Sequence, residues 1–344
     1  MRYLLIAALF SVAHIGNADP IDEMIQSSMK AAHIPGACIA IFPPKGKPDI
    51  RSYGYSNLET GAKYSPKSVQ RIASLSKQFC AYSILKLRKE GKLTLADPLS
   101  KFFPEGSPEF SKITIAHLLA HRSGIADSES EIKYPKNYSP AEFIAMISAK
   151  PLTEIPGETY RYNNFGYASL GLIVQKVTGI SLREYVTQNI FKPLKMKDTQ
   201  YFSPNLVIPN RVDAYLWKTD HFENSLTYRD DIFDGSGGIM ATIDDMILYE
   251  KELRSPKVLD QEILEFQWKA YGEAEFGYGA GWNIQKKSPK IHFHSGSWKG
   301  HTSYYLRDRL NGWSILIFRN GAGNEANSAG TWANKIHKMK TNLK

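Results

Sequence analysis

Ser74-Leu75-Ser76-Lys77 opens the strongest helical pattern in the first hundred residues, which runs from Leu75 to Glu90 and stops at Gly91. Positions i and i+3 of a helix share a face, so Ser74 Oγ and Lys77 Nζ can meet. A serine hydroxyl is a poor nucleophile until a neighbouring base removes its proton, and a lysine serves when burial or nearby cations lower its pKa. The start of the helix adds partial positive charge where an oxyanion would form. Alone, the tetrapeptide is a weak signal: Ser and Lys fall three apart by chance in most chains of this length, and an ordinary capped helix start explains the pair equally well.

Working outward from Ser74, the apolar spacing from Ile21 to Ala32 is helical. Ala37 to Phe42 reads as a central strand and Ile50 to Tyr55 as a second, with turn chemistry at Pro43-Pro44-Lys45-Gly46. After Ser74 the pattern predicts helices at Thr114 to His121, Pro140 to Ala149, Asn164 to Val177, Leu182 to Ile190 and Ile243 to Leu253. Strand signals return at Tyr278 to Ile284, Lys290 to His294, Thr302 to Leu306 and Trp313 to Arg319, and a helix from Ala326 to Met339 closes the chain. Strands at both ends with helices between them predict an α+β fold. Its antiparallel sheet subdomain comes from about 19–73 and 237–344, and an inserted all-helical subdomain from about 74–236, with the site at their seam.

Two further clusters carry chemistry. In Tyr162-Asn163-Asn164, a phenol and a carboxamide two residues apart can point into one cleft, Tyr162 relaying a proton and Asn164 orienting Lys77 or a substrate carbonyl. By itself this is a capping Asn beside an aromatic. His294-Ser295-Gly296-Ser297 falls at the end of a strand, where Gly296 permits close approach of a substrate chain. The oxyanion hole is then the N–H of Ser74 with the N–H of Ser297.

In order and spacing, these three clusters resemble the serine β-lactamase and penicillin-binding superfamily, in particular class C β-lactamases and their esterase and D-aminopeptidase relatives; S-x-x-K is one of its signatures. His117-Leu118-Leu119-Ala120-His121-Arg122-Ser123-Gly124, the stretch Pro156-Gly157 to Gly171, and Asp234-Gly235-Ser236-Gly237-Gly238-Ile239-Met240 extend the resemblance over most of residues 25 to 320. It implies a β-lactamase/transpeptidase-like fold and an acyl-enzyme on Ser74, with Lys77 and Tyr162 handling the proton and no cofactor or metal. One departure matters. Where cell-wall peptidases and β-lactamases usually carry Lys-Thr-Gly, this chain has His294-Ser295-Gly296, and a neutral histidine is a weak anion anchor near pH 7. The expected substrate is therefore an ester or amide, D-amino-acid peptides of the cell wall included. The alternatives are a β-lactamase or D-alanyl-D-alanine carboxypeptidase, and a non-catalytic peptidoglycan-binding protein of the same fold. A G-x-S-x-G nucleophile turn, the mark of a lipase-like hydrolase, is missing.

Other residues compete for attention. His117 and His121 stand four apart, a zinc-compatible spacing, but no third ligand is placed and the resemblance makes them structural, His121 bracing a loop. Among Tyr271, Phe276, Tyr278, Trp282, Trp298 and Tyr304, mostly core and sheet packing, Trp298 is the one expected to touch substrate. Arg319-Asn320-Gly321 ends a strand, where a hairpin or loop is the default reading; an Arg or Asn there could also contact a substrate carboxylate and partly offset the missing lysine. Cys38 and Cys80 both fall in core-like segments, so two separate buried thiols are expected.

The 344 residues carry a net charge of +9 with no block of like charges, which gives no nucleic-acid footprint. One cation, the apolar run Tyr3 to Ala13, then Gly16 and Ala18 read as a signal peptide over residues 1–18, predicting an exported, periplasmic or secreted protein with no stable membrane span after cleavage.

Overall fold

Asp19 starts the first helix of the computed structural model by accepting a hydrogen bond from the Ile21 N–H at 2.8 Å, with Pro20 at the first helical position. The structure describes residues 19–342 apart from 128, 134–135, 226–230, 271–276, 286–287 and 289. The signal-peptide reading and the expectations for Tyr271 and Phe276 lie outside the described residues. Helix α1 (Pro20–Ala31) buries Ile21, Ile25 and Met29 against a seven-stranded antiparallel sheet.

The strands of that sheet are β1 (Gly36–Phe42), β2 (Asp49–Gly54), β3 (Gly277–Tyr278), β4 (Asn283–Ile284), β5 (Ile291–Trp298), β6 (His301–Asp308) and β7 (Trp313–Arg319), in the spatial order β2-β1-β7-β6-β5-β4-β3. Side chains alternate across a strand, so β1 feeds two cores. Ala37, Ile39 and Ile41 pack with α1 and the terminal helix α5 (Ala329–Thr341) on one face, while Cys38, Ala40 and Phe42 join the main core on the other. Helix α2 (Ser76–Lys89) runs through that main core with ten successive buried residues, Ser76 to Leu85. Helices α3 (Asn164–Thr178) and α4 (Ile243–Arg254) pack in the same core. The thiols of Cys38 and Cys80 are both buried and free.

Several sequence boundaries shift. Tyr278 to Ile284 is not one strand but the hairpin β3–β4, turned at Gly281, whose φ is +84° and whose Cα faces Gln78 so closely that a Cβ would lie 2.8 Å from the Gln78 Cα. The helix expected to reach His121 ends at Leu119. A helix at Gln261–Gln267, capped by Asp260, was not legible in the pattern. The run from Leu182 is α-helical only to Val186 and then widens to a π turn over Thr187–Phe191. The inserted stretch also holds short strands at Gln200–Tyr201, Tyr215–Trp217 and Phe222–Asn224. No helix of the described residues is long and apolar enough to cross a membrane.

Candidate active site

The nucleophile candidate is presented by a strained turn. Ala73 has φ +48°, a left-handed conformation uncommon for a residue with a Cβ, and a 3₁₀ turn over Ala73–Leu75 leads into α2. Ser76 locks this turn: its hydroxyl donates to the Ala73 carbonyl at 2.7 Å and accepts from the Ile239 N–H at 3.1 Å, while the Ile72 N–H donates to the Ile239 carbonyl at 3.0 Å. From Ser68 to Leu85 every residue is buried except Ser74, which is half-buried. The turn thus offers one hydroxyl to the seam and hides its surroundings.

Lys77 lies beneath that hydroxyl with no exposed surface. Its Nζ donates to Ser74 Oγ at 3.1 Å, Asn164 Oδ1 at 2.8 Å and the Ser236 carbonyl at 2.9 Å, so its three protons have three acceptors. Three segments distant in sequence meet here. Asn164 is the first residue of α3, whose cap is Asn163, accepting from the Gly166 N–H at 3.2 Å. Ser236 comes from the glycine-rich turn Asp234–Gly237, where a Cβ on Gly235 would lie 2.1 Å from the Tyr167 carbonyl. Its carbonyl was missed in the sequence reading, which marked the glycines as a motif but could not assign a backbone oxygen to Lys77. The Tyr162 ring centroid is 4.8 Å from Lys77 Nζ, 4.2 Å from the His121 ring and 6.0 Å from the His294 ring.

The third cluster is not at a strand end. Ser295, Gly296 and Ser297 lie inside β5, which pairs with β6 along its whole length but with β4 only at His292 and Phe293. From His294 onward the edge of β5 away from β6 therefore has no strand partner among the described residues. A Cβ on Gly296 would lie 2.3 Å from the Ile72 carbonyl, so glycine is what lets β5 pass beside the Ser74 turn. Ser295 and Ser297 are exposed.

His294 differs from the expectation that it faces the cleft. It is 2% exposed, with Nδ1 2.6 Å from the Ser295 carbonyl and Nε2 3.0 Å from the Tyr278 hydroxyl. Nδ1 then carries the proton and Nε2 accepts from the phenol. Burial first, then the Lys77 charge, pushes its pKa down to about 3, so it is neutral and offers no fixed positive charge. Arg319 and Asn320 do not replace one. Arg319 is 1% exposed and donates to Thr302 Oγ1 at 2.6 Å, the Asn327 carbonyl at 2.5 Å and the Ala322 carbonyl. Asn320 donates to the carbonyls of Tyr55, Ser56 and Asp213. Both stitch the end of β7 to neighbouring loops. Trp298, expected to touch substrate, has a structural neighbour: the Arg71 guanidinium is 4.9 Å from its ring centroid and 4.5 Å from that of Phe202.

His117 and His121 do not form a helix-face pair. His117 belongs to the capping box of Ile115–Leu119, and His121, beyond that helix, has φ +55°. Among the described residues no group of three or more His, Cys, Asp or Glu side chains is placed to hold a metal ion.

A lysine-bonded serine at the junction of an antiparallel sheet and a helical insertion is the architecture of the penicillin-recognising serine hydrolases. The chain belongs to the β-lactamase family, whose pattern it matches over residues 21–338. Protein flp of Staphylococcus aureus (strain MW2) is 32% identical over 314 residues, a match covering 87% of this chain and 62% of flp. The chain thus spans less than two thirds of that relative's length. The octameric penicillin-binding protein homologue from Pyrococcus abyssi superposes with a TM-score of 0.80 at 25% identity, covering 94% of this chain and 77% of that one. The D-amino acid amidase from Ochrobactrum anthropi SV3 shares the fold, with a TM-score of 0.81 at 22% identity over 94% of this chain and 98% of its own.

Proposed function

We propose that the protein is an exported serine hydrolase that forms an acyl-enzyme on Ser74 from an ester or amide, D-amino-acid peptides of the cell wall included. The observation that carries this reading is the 3.1 Å hydrogen bond between Lys77 Nζ and the half-exposed hydroxyl of Ser74. In the first step the Lys77–Tyr162 pair, in the form that carries one proton fewer than an ammonium beside a phenol, takes the Ser74 proton as Oγ bonds to the substrate carbonyl carbon. The N–H groups of Ser74 and Ser297 receive the oxyanion, consistent with the unpartnered edge of β5 beside the Ser74 turn. Collapse breaks the bond to the leaving group, which takes a proton back from the pair through Tyr162. Water then releases the acyl group by the same path in reverse. Asn164 and the Ser236 carbonyl keep Lys77 aligned throughout.

The neutral, buried His294 argues for substrates without a free carboxylate at that position, because an uncharged ring stands where a lysine would grip one. The apolar run Tyr3 to Ala13 followed by Gly16 and Ala18 supports export. The test is intact-protein mass of wild type and Ser74→Ala, each mixed with a nitrophenyl ester, benzylpenicillin or a D-Ala-D-Ala peptide. A Ser74-dependent adduct or product with the ester is expected. Rapid penicillin turnover instead would make the protein a β-lactamase, and inertness towards all three with retained muropeptide binding would make it a binding protein.

A further inference from the structure

His121 holds both neighbours of Tyr162. Its carbonyl accepts from the Arg161 N–H at 2.8 Å, and its Nδ1 accepts from the Asn163 N–H at 3.1 Å. Between these two anchors, the His121 ring lies against the Tyr162 ring with centroids 4.2 Å apart and an interplanar angle of 35°. The imidazole is 1% exposed and enclosed by the rings of Tyr160, Tyr162, Tyr167 and Tyr278, at 6.1, 4.2, 4.9 and 4.6 Å. Holding the main chain needs only an acceptor and a carbonyl. The φ of +55° at His121 would be met more readily by Asn or Gly, so a ring here is retained at a conformational cost.

We propose that His121 is the positioning residue of the site, its ring setting the orientation of the Tyr162 phenol relative to Ser74 and Lys77. The inference rests on the serine-hydrolase reading above for its catalytic consequence, and on the packing alone for its structural one. Neutrality is part of the fit. The groups facing the ring are Lys77 from α2, Tyr160 and Tyr162 from the segment before α3, Tyr167 from α3, Tyr278 from β3 and His294 from β5, with no carboxylate in this set. Burial, then Lys77 and His294, hold the His121 pKa well below the usual histidine value. With Nδ1 accepting, Nε2 carries the proton and has no hydrogen-bond partner among the described residues, which fits a ring kept for its shape.

The discriminating variant is His121→Asn, which tolerates a positive φ and can offer Oδ1 where Nδ1 accepts from Asn163, so that it removes the ring and little else; His121→Gln is the second variant should the first not fold. With a nitrophenyl ester, His121→Asn should lower kcat about 10- to 100-fold while KM moves less than about threefold. In a Tyr162→Phe background the same change should cost less than about threefold, because the phenol it orients is already gone. An equal cost in both backgrounds, or an unchanged kcat, overturns the inference. A crystal structure of His121→Asn decides it without substrate: a displaced or multiply placed Tyr162 ring is expected, and a ring in its original position overturns it. If ester turnover fails to depend on Ser74, the hydrolase reading falls while the crystallographic arm still decides the packing claim.

Discussion

Two buried charges lie along the same strand pair and are built to opposite ends. Across β5 and β6, His294 pairs with Tyr305 and His292 with Arg307, so the Lys77 site and the Glu250 cluster are neighbours on one face of the sheet. Glu250 on α4 is 1% exposed and fully claimed. Its Oε1 accepts from Arg254 at 2.5 Å and Ser314 at 2.7 Å, and its Oε2 from Arg307 at 2.8 Å and from the Tyr305 hydroxyl. Burial alone would raise its pKa, but Arg307 and Arg254 hold it below the usual carboxylate range. Lys77 is as deeply buried and as fully hydrogen-bonded, yet one of its three acceptors is a hydroxyl that solvent can reach. Burial and satisfaction are therefore not what separates Glu250 from Lys77, the charge proposed to react. The difference is what solvent can reach: for Glu250 it is the permanently charged Arg254 guanidinium, which holds the carboxylate ionised, and for Lys77 it is the half-buried hydroxyl of Ser74, which can react.

The largest expected effect follows from the open partner. Ser74→Ala should reduce ester turnover by about 10⁴-fold or more, and Lys77→Ala by a similar factor, since groups acting as a unit fail together. The folding midpoint of Ser74→Ala should change little. Both are checked by steady-state rates beside thermal unfolding, and a large loss of stability in Ser74→Ala would break the contrast. Glu250→Ala should do the reverse. Buried Arg307, left uncompensated, would lower unfolding free energy by about 3–5 kcal/mol, read by urea denaturation. Turnover per folded molecule should stay within about threefold, because Ser74, Asn164 and Ser236, which accept from Lys77, are not among the partners of Glu250 given above. A collapse of kcat at preserved folding would show that the two clusters are coupled through β5 and β6.

The same contrast explains what could be read from the sequence. Ser74 and Lys77 were legible because helix periodicity fixes an i, i+3 contact from local sequence alone. Asn164 was placed near Lys77 by the motif, and the antiparallel sheet by its short apolar runs. The Ser236 carbonyl was not legible, since a backbone oxygen has no residue type to announce it. His294 was assigned to the cleft because strand alternation gives a face but not the depth of that face, and its partner Tyr278 arrives through a hairpin that the pattern had read as one strand. Arg319 and Asn320 misled for a related reason. A cation at a strand end reads as available until the carbonyls that consume it are seen.

Arg319 supplies a smaller test of that last point. Arg319→Ala should lower unfolding free energy by about 1–3 kcal/mol through its lost hydrogen bonds, with part of the loss from packing on Trp332. It should leave unchanged the ratio of kcat/KM for an ester bearing a free carboxylate to that for its blocked analogue. A selective loss on the carboxylate-bearing ester would return Arg319 to the site.

The smallest effect per unit of pH comes from the neutral histidines of β5 and β6. Burial, the largest cause for each, pushes the pKa of His292 down to about 4 and those of His294 and His301 down to about 3, against an ordinary value of 6.5. Each folded-state pKa is depressed, so the unfolded chain binds the extra proton first. The stability each contributes is complete above pH 6.5 and is lost as pH falls from there towards 3 or 4, at about 1.4 kcal/mol per pH unit per histidine. Glu250, held ionised by its arginines, adds little to this slope over the upper part of that window. His301 is the group to test, because its ring belongs neither to the Lys77 contacts nor to the Glu250 cluster. Urea unfolding of wild type and His301→Gln at pH 7, 6 and 5 should show the variant's stability falling less steeply by about one proton's worth, whatever its absolute stability. Parallel slopes would mean that His301 is protonated, or solvated, in the folded protein, and that the hairpin end of β5 and β6, where His301 pairs with Trp298, is less dry than its burial implies.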